Sequence, residues 1–258
     1  MTSLWSYLDD AGPIALAHRG AHGNGVTENS MAAFEAAVRL GFRYVETDVH
    51  ATADGVLVAI HDRTLDRVST GSGAIAQLPY DVVARARLLD GSPVPLLADL
   101  LGTWPDLRVN IDAKDDRAVG PLLDVLEHTR AHHRVCVGAF SDSRIRALRR
   151  ALPPGTATAL APREVAALRL MPPSRLRRRW LPDAAPCVQV PPRFARLTVV
   201  DEVFVERAHS QGRQVHVWTI DDPAQMRELL DVGVDGIVSD NAEGVLSVLA
   251  GHGAEPSA

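Results

Sequence analysis

The chain has 258 residues, of which 46% are hydrophobic and 23% are charged, and its formal net charge is −5. This length suits one α/β barrel domain with a substantial core. The acidic balance argues against a nucleic-acid-binding surface, and no apolar run is long enough to cross a membrane. The N-terminus has neither a basic start nor an apolar stretch of the secretory type, so we expect a soluble, cytoplasmic protein.

The cysteines and the basic residues add little to this picture. Cys136 and Cys187 each fall within a strand-like run, and we expect both thiols to be reduced and buried. One basic cluster, RLRRR at residues 175–179, is short. It is more typical of a solvated loop or helix end than of an anion-binding surface.

The chain opens with a predicted strand, loop and helix. Residues 14–17 form a short apolar strand, and the tripeptide HRG at 18–20 follows where the strand opens into a loop. The segment MAAFEAAVRL then has apolar residues at helical spacing, after two candidate N-cap residues, Asn29 and Ser30. Gly41 is expected to end this helix because glycine readily adopts the left-handed conformation.

The second predicted strand carries an acidic pair. Residues 42–50 alternate in polarity, so Glu46, Asp48 and His50 share one face. The solvent-facing side of an amphipathic strand has the same pattern. Polar residues also crowd the ends of the neighbouring predicted strands, however, and this crowding favours a functional site.

This strand returns through a predicted tight hairpin. Asp54-Gly55 is a strong signal for a two-residue turn, and residues 56–60 form the returning strand. Counting back from that turn sets Asp48 opposite His61, with roughly 5 Å between their Cβ atoms. The register therefore predicts that two carboxylates and a histidine converge on one surface.

The next segment with candidate functional residues is RVNIDAK, at residues 108–114. Asn110, Asp112 and Lys114 lie on one face of the predicted strand and apolar residues on the other. Three polar side chains on an inward face are costly unless they are paired, hydrated or bound to a metal. The alternative interpretation is an ion pair between Asp112 and Lys114 on an exposed edge strand.

Strands and helices are predicted to alternate along the rest of the chain. Apart from the hairpin arm at 56–60, eight strands are predicted, at residues 14–17, 42–50, 108–114, 135–140, 156–160, 187–190, 214–220 and 236–239. The pattern predicts a single (β/α)8 TIM barrel as one domain, 1–258, with its core at about 13–250. A short insertion, at about 64–104, follows the second-strand hairpin. Functional residues of such a barrel lie at the C-terminal ends of the strands.

A series of short motifs runs through the chain in a fixed order. It begins with HRG, ENS followed by AF, E-x-D and HD. It continues with LDRVSTGSG, VPLLADLL, VNIDAK, VHVWTID and GVDGIVSD, so it covers most of the chain. Each motif alone is weak, but the ordered set is highly specific and resembles the glycerophosphodiester phosphodiesterase family. The resemblance implies a TIM barrel of the phosphatidylinositol phosphodiesterase type.

The resemblance also implies roles for eight residues at or near strand ends. It gives catalytic roles to His18 and His61, metal ligation to Glu46, Asp48 and Asp112, and substrate contacts to Arg19, Lys114 and Trp218. The third acidic position departs from the family pattern, because an aspartate stands where glutamate is usual. Aspartate is one methylene shorter and remains a competent oxygen ligand.

These side chains match the requirements of phosphodiester hydrolysis. Three carboxylates form an all-oxygen site suited to one divalent metal ion, Mg²⁺ or Ca²⁺. The arginine and the lysine supply cationic donors to the phosphate. Histidines titrate near neutrality, so one can act as base while the other acts as acid. We therefore expect metal-dependent hydrolysis of a small-molecule glycerophosphodiester to sn-glycerol 3-phosphate and an alcohol, as the family implies.

Two alternatives remain open from the sequence. The similar sphingomyelinase D-type barrels also use two histidines and a metal, but they release a cyclic phosphate. A non-catalytic barrel that only binds phosphodiesters is the other alternative, although this chain keeps both histidines and all three acids. The alcohol group, the preferred ion and the oligomeric state do not follow from the sequence.

Overall fold

The computed structural model describes residues 5–8, 12–171 and 180–252. Its strands are β1 (Ile14–Ala17), β2 (Tyr44–Ala51), β3 (Leu57–Ala59), β4 (Arg108–Ala113), β5 (Val135–Gly138), β6 (Ala157–Thr158), β7 (Cys187–Val190), β8 (Arg193–Phe194), β9 (Leu197–Thr198), β10 (Gln214–Val217) and β11 (Gly236–Ser239). Eight of these strands, all but β3, β8 and β9, are parallel neighbours in one sheet.

One main helix follows each of these eight parallel strands. These helices are Met31–Arg39, Leu97–Thr103, Val119–Thr129, Asp142–Ala151, Pro162–Leu170, Glu202–His209, Pro223–Asp231 and Ala242–His252. A shorter helix, Tyr80–Val83, lies between β3 and Leu97–Thr103. The alternation of strand and helix that the sequence predicts is therefore confirmed.

The parallel strands close into a barrel. Their order in the sheet is β6, β5, β4, β2, β1, β11, β10 and β7. The two ends of that order meet through a parallel bridge between Ala159 and Cys187, and the Leu160 N–H donates to the Cys187 carbonyl at 2.9 Å. The predicted (β/α)8 TIM barrel is therefore confirmed, and its strand ends form one rim.

The hairpin between β2 and β3 has a different register from the predicted one. Val49 pairs with Ala59, and the Ile60 N–H donates to the Asp48 carbonyl at 3.0 Å. Asp48 therefore lies opposite Ile60, and the prediction that it faces His61 is wrong by one residue.

The physical reason for this shift is a three-residue loop in place of a two-residue turn. The Thr52 N–H donates to the Val56 carbonyl at 3.0 Å, and the Thr52 hydroxyl accepts from the Val56 N–H at 2.9 Å. The same hydroxyl donates to Asp54 at 2.6 Å, and Gly55 has a φ of +85°. Three-residue hairpin loops typically place glycine at this left-handed position.

The first barrel helix begins and ends close to the predicted residues. The Ser30 side chain caps it by accepting from the Ala33 N–H at 3.0 Å. Gly41 follows the last turn with a φ of +94°, so its role as the stop residue is confirmed. Asn29, the other candidate N-cap residue, instead points its side chain toward β2, where it accepts from the Thr47 hydroxyl at 2.7 Å.

The two faces of the barrel strands differ as the alternation predicts. On β4, Val109 and Ile111 belong to the main apolar core, whereas Asn110 is a buried polar residue outside that core. Cys136 and Cys187 are free thiols and are fully buried, which confirms that expectation. No helix in the described ranges is long and apolar enough to span a membrane.

The segment after β3 forms a small apolar cluster of its own. Its buried members include Leu65, Val68, Ile75 and Leu88, which pack with residues of the returning hairpin strand. The following helix, Leu97–Thr103, packs instead into the main core. The basic cluster at 175–179 lies outside the described residues.

Gly20, which follows β1, is expected to be sensitive to substitution. It has a φ of +80°, and an added Cβ would lie 2.7 Å from the backbone of Ala33. Gly23 has a φ of +108° with nothing near that position. Both Gly→Ala variants should lose about 1–2 kcal/mol through backbone strain, and Gly20→Ala about 1–3 kcal/mol more through overpacking. Urea unfolding of the two variants checks this, and equal losses would contradict the crowding argument.

Candidate active site

Three acidic side chains come together inside the C-terminal end of the barrel. Glu46 and Asp48 lie on β2, and the parallel register sets Asp48 beside Asp112 of β4. The Lys114 ammonium lies between two of them, with Nζ 2.7 Å from Asp48 Oδ1 and 2.7 Å from Asp112 Oδ2. The structure therefore brings together the three predicted acids and the predicted substrate lysine.

Arg19 reaches the same cluster from the loop after β1. Its Nε lies 3.1 Å from Asp48 Oδ2, and its Nη1 lies 3.0 Å from Glu28 Oε1. Its backbone N–H also donates to Glu46 Oε2 at 3.3 Å. Arg19 has a φ of +56°, a conformation uncommon for a residue other than glycine. This backbone geometry directs both its N–H and its guanidinium toward carboxylates.

The surroundings of Glu46 and Asp48 shift the pKa values of these two carboxyl groups in opposite directions. Burial, together with the charges of Asp48 and Asp112, raises the pKa of Glu46 well above its usual range. Burial also raises the pKa of Asp48, but the charges of Lys114 and Arg19, and more weakly of His61, bring it below its usual range. Asp48 therefore stays ionised, whereas burial and the two neighbouring carboxylates disfavour the ionised form of Glu46.

The donor chemistry of the cluster fits a divalent cation. The Oδ1 atom of Asp112 is buried and has no hydrogen-bond partner among the described residues. An unpaired buried carboxylate oxygen beside a carboxyl group with a raised pKa is an oxygen donor of the kind that suits a divalent cation. In the described part of the chain, no three histidine, cysteine or acidic side chains are arranged closely enough to form a metal site. In this arrangement the Lys114 ammonium lies between two of the three acids.

His18 is held by a carboxylate from the far end of the chain. Its Nδ1 lies 2.7 Å from Asp240 Oδ1, and its Nε2 lies 3.8 Å from Glu46 Oε2. The same Asp240 oxygen lies 2.9 Å from His22 Nε2. Burial raises the pKa of Asp240, but hydrogen bonds from His18 and His22 bring it well below its usual range. His18 therefore presents Nε2 toward the acidic cluster.

His61 has a similar arrangement with a carboxylate from its own loop. Its Nδ1 lies 2.7 Å from Asp62 Oδ1. Asp62 in turn accepts from Arg67 Nε at 2.6 Å. Hydrogen bonds from Arg67, against a smaller effect of burial, lower the pKa of Asp62 well below its usual range. The carboxylate is therefore ionised and holds Nδ1 of His61.

The end of β10 adds an aromatic wall to the rim. Trp218 is half-buried and packs edge-to-face against Phe140, with ring centroids 5.4 Å apart. Phe140 is 66% exposed, and its ring centroid lies 6.0 Å from Lys114 Nζ. His216 is fully buried, and burial lowers its pKa to about 4. His216 therefore has a structural role, and Trp218 and Phe140 border the cluster.

Sequence reasoning missed several residues that surround the site. They are Glu28, Asp62, Arg67, Phe140 and Asp240. Glu28, Asp62 and Arg67 fall within the motifs ENS, HD and LDRVSTGSG, so attention to every polar residue of those motifs would have singled them out. Asp240 ends the motif GVDGIVSD, so the same attention would have singled it out. Its pairing with His18 is a tertiary contact across 222 positions.

Comparisons with known proteins point to one family. A family model described as the glycerophosphoryl diester phosphodiesterase family matches residues 18–243. The probable glycerophosphodiester phosphodiesterase 2 of Mycobacterium tuberculosis is 42% identical over 250 residues, which cover 96% of this chain and 94% of that protein. A glycerophosphodiester phosphodiesterase of Caldanaerobacter subterraneus is 27% identical over 252 residues, covering 92% and 97% respectively.

Solved structures with the same fold include two relevant examples. A glycerophosphodiester phosphodiesterase of Agrobacterium tumefaciens superposes with a TM-score of 0.75 at 24% identity, covering 92% of this chain and 99% of that one. A phosphodiesterase of Oleispira antarctica, solved with the product sn-glycerol-3-phosphate, superposes with a TM-score of 0.73 at 20% identity, covering 93% and 97%. At these identities the superpositions show a common barrel fold.

Proposed function

Because the chain belongs to the glycerophosphoryl diester phosphodiesterase family, we propose that it hydrolyses glycerophosphodiesters to sn-glycerol 3-phosphate and an alcohol. The same phosphate monoester is the product bound to the Oleispira antarctica relative. The substrate is a small molecule, and we propose that the aromatic wall of Trp218 and Phe140 contacts its carbon atoms. Lys114, next to that wall, is the cationic donor for its phosphate.

The observation that carries this proposal is the matched environment of His18 and His61. In each ring the Nδ1 atom lies 2.7 Å from an aspartate oxygen, of Asp240 and of Asp62 respectively. A carboxylate at Nδ1 holds the proton on that nitrogen and leaves Nε2 to exchange a proton with the substrate. Two histidines oriented in this way beside cationic residues can serve as general base and general acid.

The other proposed roles follow from charge. Arg19 and Lys114 offer cationic donors to the non-bridging oxygens of the diester, which an anionic phosphorus centre requires. Glu46, Asp48 and Asp112 would hold one divalent ion, Mg²⁺ or Ca²⁺, which neutralises phosphate charge when bound. Lys114 lies 2.7 Å from both Asp48 and Asp112, so its ammonium would share these two acids with the ion and would offer its remaining N–H donors to the phosphate.

Turnover of glycerophosphocholine, followed by phosphorus NMR, tests the proposed reaction. Hydrolysis yields a phosphate monoester together with free choline. A cyclic phosphate as the final product would instead establish the sphingomyelinase D-type reaction. Binding of the diester without any change in its phosphorus signal would establish a non-catalytic barrel.

Asp112→Ala tests whether this residue is a metal ligand. Losing one of three carboxylates should raise the concentration of Mg²⁺ or Ca²⁺ needed for half-maximal turnover, and should reduce the stabilisation that the ion gives. Thermal unfolding with increasing ion concentration gives a readout independent of activity. Asp124→Ala, on the exposed face of helix Val119–Thr129, is the matched control and should change stability by less than about 0.5 kcal/mol. If both variants respond to the ion like the parent, Asp112 is not a ligand.

We also propose that residues 1–258, with their core at about 13–250, act as a single catalytic domain in a reducing compartment such as the cytoplasm. The two cysteines of the chain are both free and buried inside the barrel. Thiols of this kind are typical of proteins from reducing compartments, because secreted domains more often use cysteines in disulfides.

A further inference from the structure

Arg67 occupies a position between two loops of the candidate site without belonging to either. It comes from the segment after β3, in the motif LDRVSTGSG. Its neighbours Leu65 and Val68 are both buried in the apolar cluster of that segment, so the backbone on either side of Arg67 is anchored. The arginine side chain extends from this anchored turn toward the rim of the barrel.

The guanidinium binds two carboxylates at two points each. Toward Asp62, Nε donates at 2.6 Å and Nη2 at 3.1 Å. Toward Glu28, Nη1 donates at 2.9 Å and Nη2 at 2.7 Å. Hydrogen bonds to Glu28 and Asp62 raise the pKa of Arg67 far above its already high ordinary value. The planar guanidinium of Arg67 therefore makes two hydrogen bonds to each of the two carboxylates.

Each of these carboxylates holds a residue of the candidate site. Asp62 Oδ1 lies 2.7 Å from His61 Nδ1, and Glu28 Oε1 lies 3.0 Å from Arg19 Nη1. The Arg67 side chain is 48% exposed, and a single ion pair at that exposure contributes little to stability. A rigid guanidinium bonded to two carboxylates, however, restricts the rotation of both. Arg67 therefore affects the orientation of the Asp62 and Glu28 side chains more than the stability of the fold.

We propose that Arg67 is a positioning residue whose guanidinium fixes Asp62 and Glu28, and through them the aim of His61 and Arg19. The expected effect of Arg67 on kcat rests on the proposed function. The orientation of Asp62 and Glu28 by Arg67 does not depend on it. The segment after β3 thereby supports the reaction without contacting the reacting atoms. Arg67 couples the orientation of a proton-transfer group to that of a phosphate-binding group.

Two substitutions and a control separate charge from geometry. Arg67→Gln should lower kcat for glycerophosphocholine by about 10- to 100-fold, as is typical when a group that orients a functional ligand is removed. Arg67→Lys keeps the positive charge but loses the planar guanidinium that binds both carboxylates. Its kcat should therefore lie between that of Arg67→Gln and that of the parent. Arg63→Gln alters an exposed arginine of the same loop, which has no ion pair among the described residues, and should change kcat by less than about threefold.

Chemical rescue distinguishes positioning from a loss of folding. Guanidinium ions at millimolar concentration should restore part of the lost kcat in Arg67→Ala, since the free ion can occupy the space between the two carboxylates. A variant that is inactive because it is unfolded would lose more activity in guanidinium. If Arg67→Ala has the same unfolding temperature as the parent protein and guanidinium restores none of its kcat, the proposal is overturned.

A third measurement does not depend on turnover. Long-range proton–nitrogen NMR, with the His61 signals assigned by His61→Gln, should show His61 protonated at Nδ1 in the parent and a mixture of tautomers in Arg67→Gln. An unchanged His61 signal together with parental kcat in Arg67→Gln would show that Arg67 does not position the site. A changed His61 signal in a protein that hydrolyses no diester would uphold the positioning role and refute the proposed function.

Discussion

His18→Ala and His61→Ala should each lower the turnover of glycerophosphocholine by about 10²- to 10⁴-fold, the usual contribution of a positioned general acid or base. Choline is an alkoxide leaving group, so its departure needs a proton, and the attacking oxygen must lose one. The two rings are held at Nδ1 by different carboxylates, Asp240 and Asp62. Because the two rings lie on separate loops and are held by separate carboxylates, we expect that neither ring replaces the other.

A substrate with a better leaving group should assign the two roles. A nitrophenolate departs without a proton, so a nitrophenyl diester no longer needs the general acid. One of the two variants should therefore recover most of its lost rate on that substrate, and the recovered position is the general acid. His133→Ala, an exposed histidine before β5 at the opposite end of the barrel, should match the parent on both substrates. If His18→Ala and His61→Ala both still bind metal and lose the same rate on both substrates, the two histidines do not have separate acid and base roles.

Removal of divalent metal should abolish turnover, and this effect is expected to be as large as any substitution in the site. Glu46, Asp48 and Asp112 share a buried space, and the pKa of Glu46 is raised by burial and by the two neighbouring carboxylates. These three acids would hold the ion, which would offset that repulsion and supply positive charge to the phosphate. Protein treated with a chelator, and shown to be metal-free, should be inactive and should regain turnover with Mg²⁺ or Ca²⁺.

The same ion should also stabilise the fold. An ion present at a hundredfold excess over its dissociation constant stabilises the native state by about 2.7 kcal/mol. Thermal unfolding with and without the ion, at constant ionic strength, measures this directly. Full turnover by the metal-free sample would show that Lys114 and Arg19 are sufficient, and that the acidic cluster has another purpose.

The barrel was predictable because each of its elements has a local signal. Strands with alternating polarity, such as 108–114, and helices with a capping residue before them and a glycine after them, such as Met31–Arg39, are determined over fewer than about fifteen residues. The chemistry of the site was also predictable in kind. Glu46, Asp48 and Asp112 lie at the ends of strands that the fold brings together, since parallel strands end at a common rim.

The register of the hairpin was not predictable from the Asp54-Gly55 pair alone. The Thr52 side chain accepts from the Val56 N–H, and this contact extends the loop to three residues. A change of one residue in register exchanges the residues that face each other across the hairpin. A tertiary contact at its tip adds to the stability of this loop, because Asp54 also accepts from the Tyr80 N–H at 2.9 Å.

The sequence alone determined the order of the strands and helices and the kinds of side chain at the barrel rim, because periodicity and short motifs are local properties. Only the tertiary structure decided which groups hold those side chains in place. Asp240 meets His18 across 222 positions, and Arg67 meets Glu28 across 39 positions. Such contacts depend on closure of the barrel and on how neighbouring loops pack, and no pattern within a single segment records them.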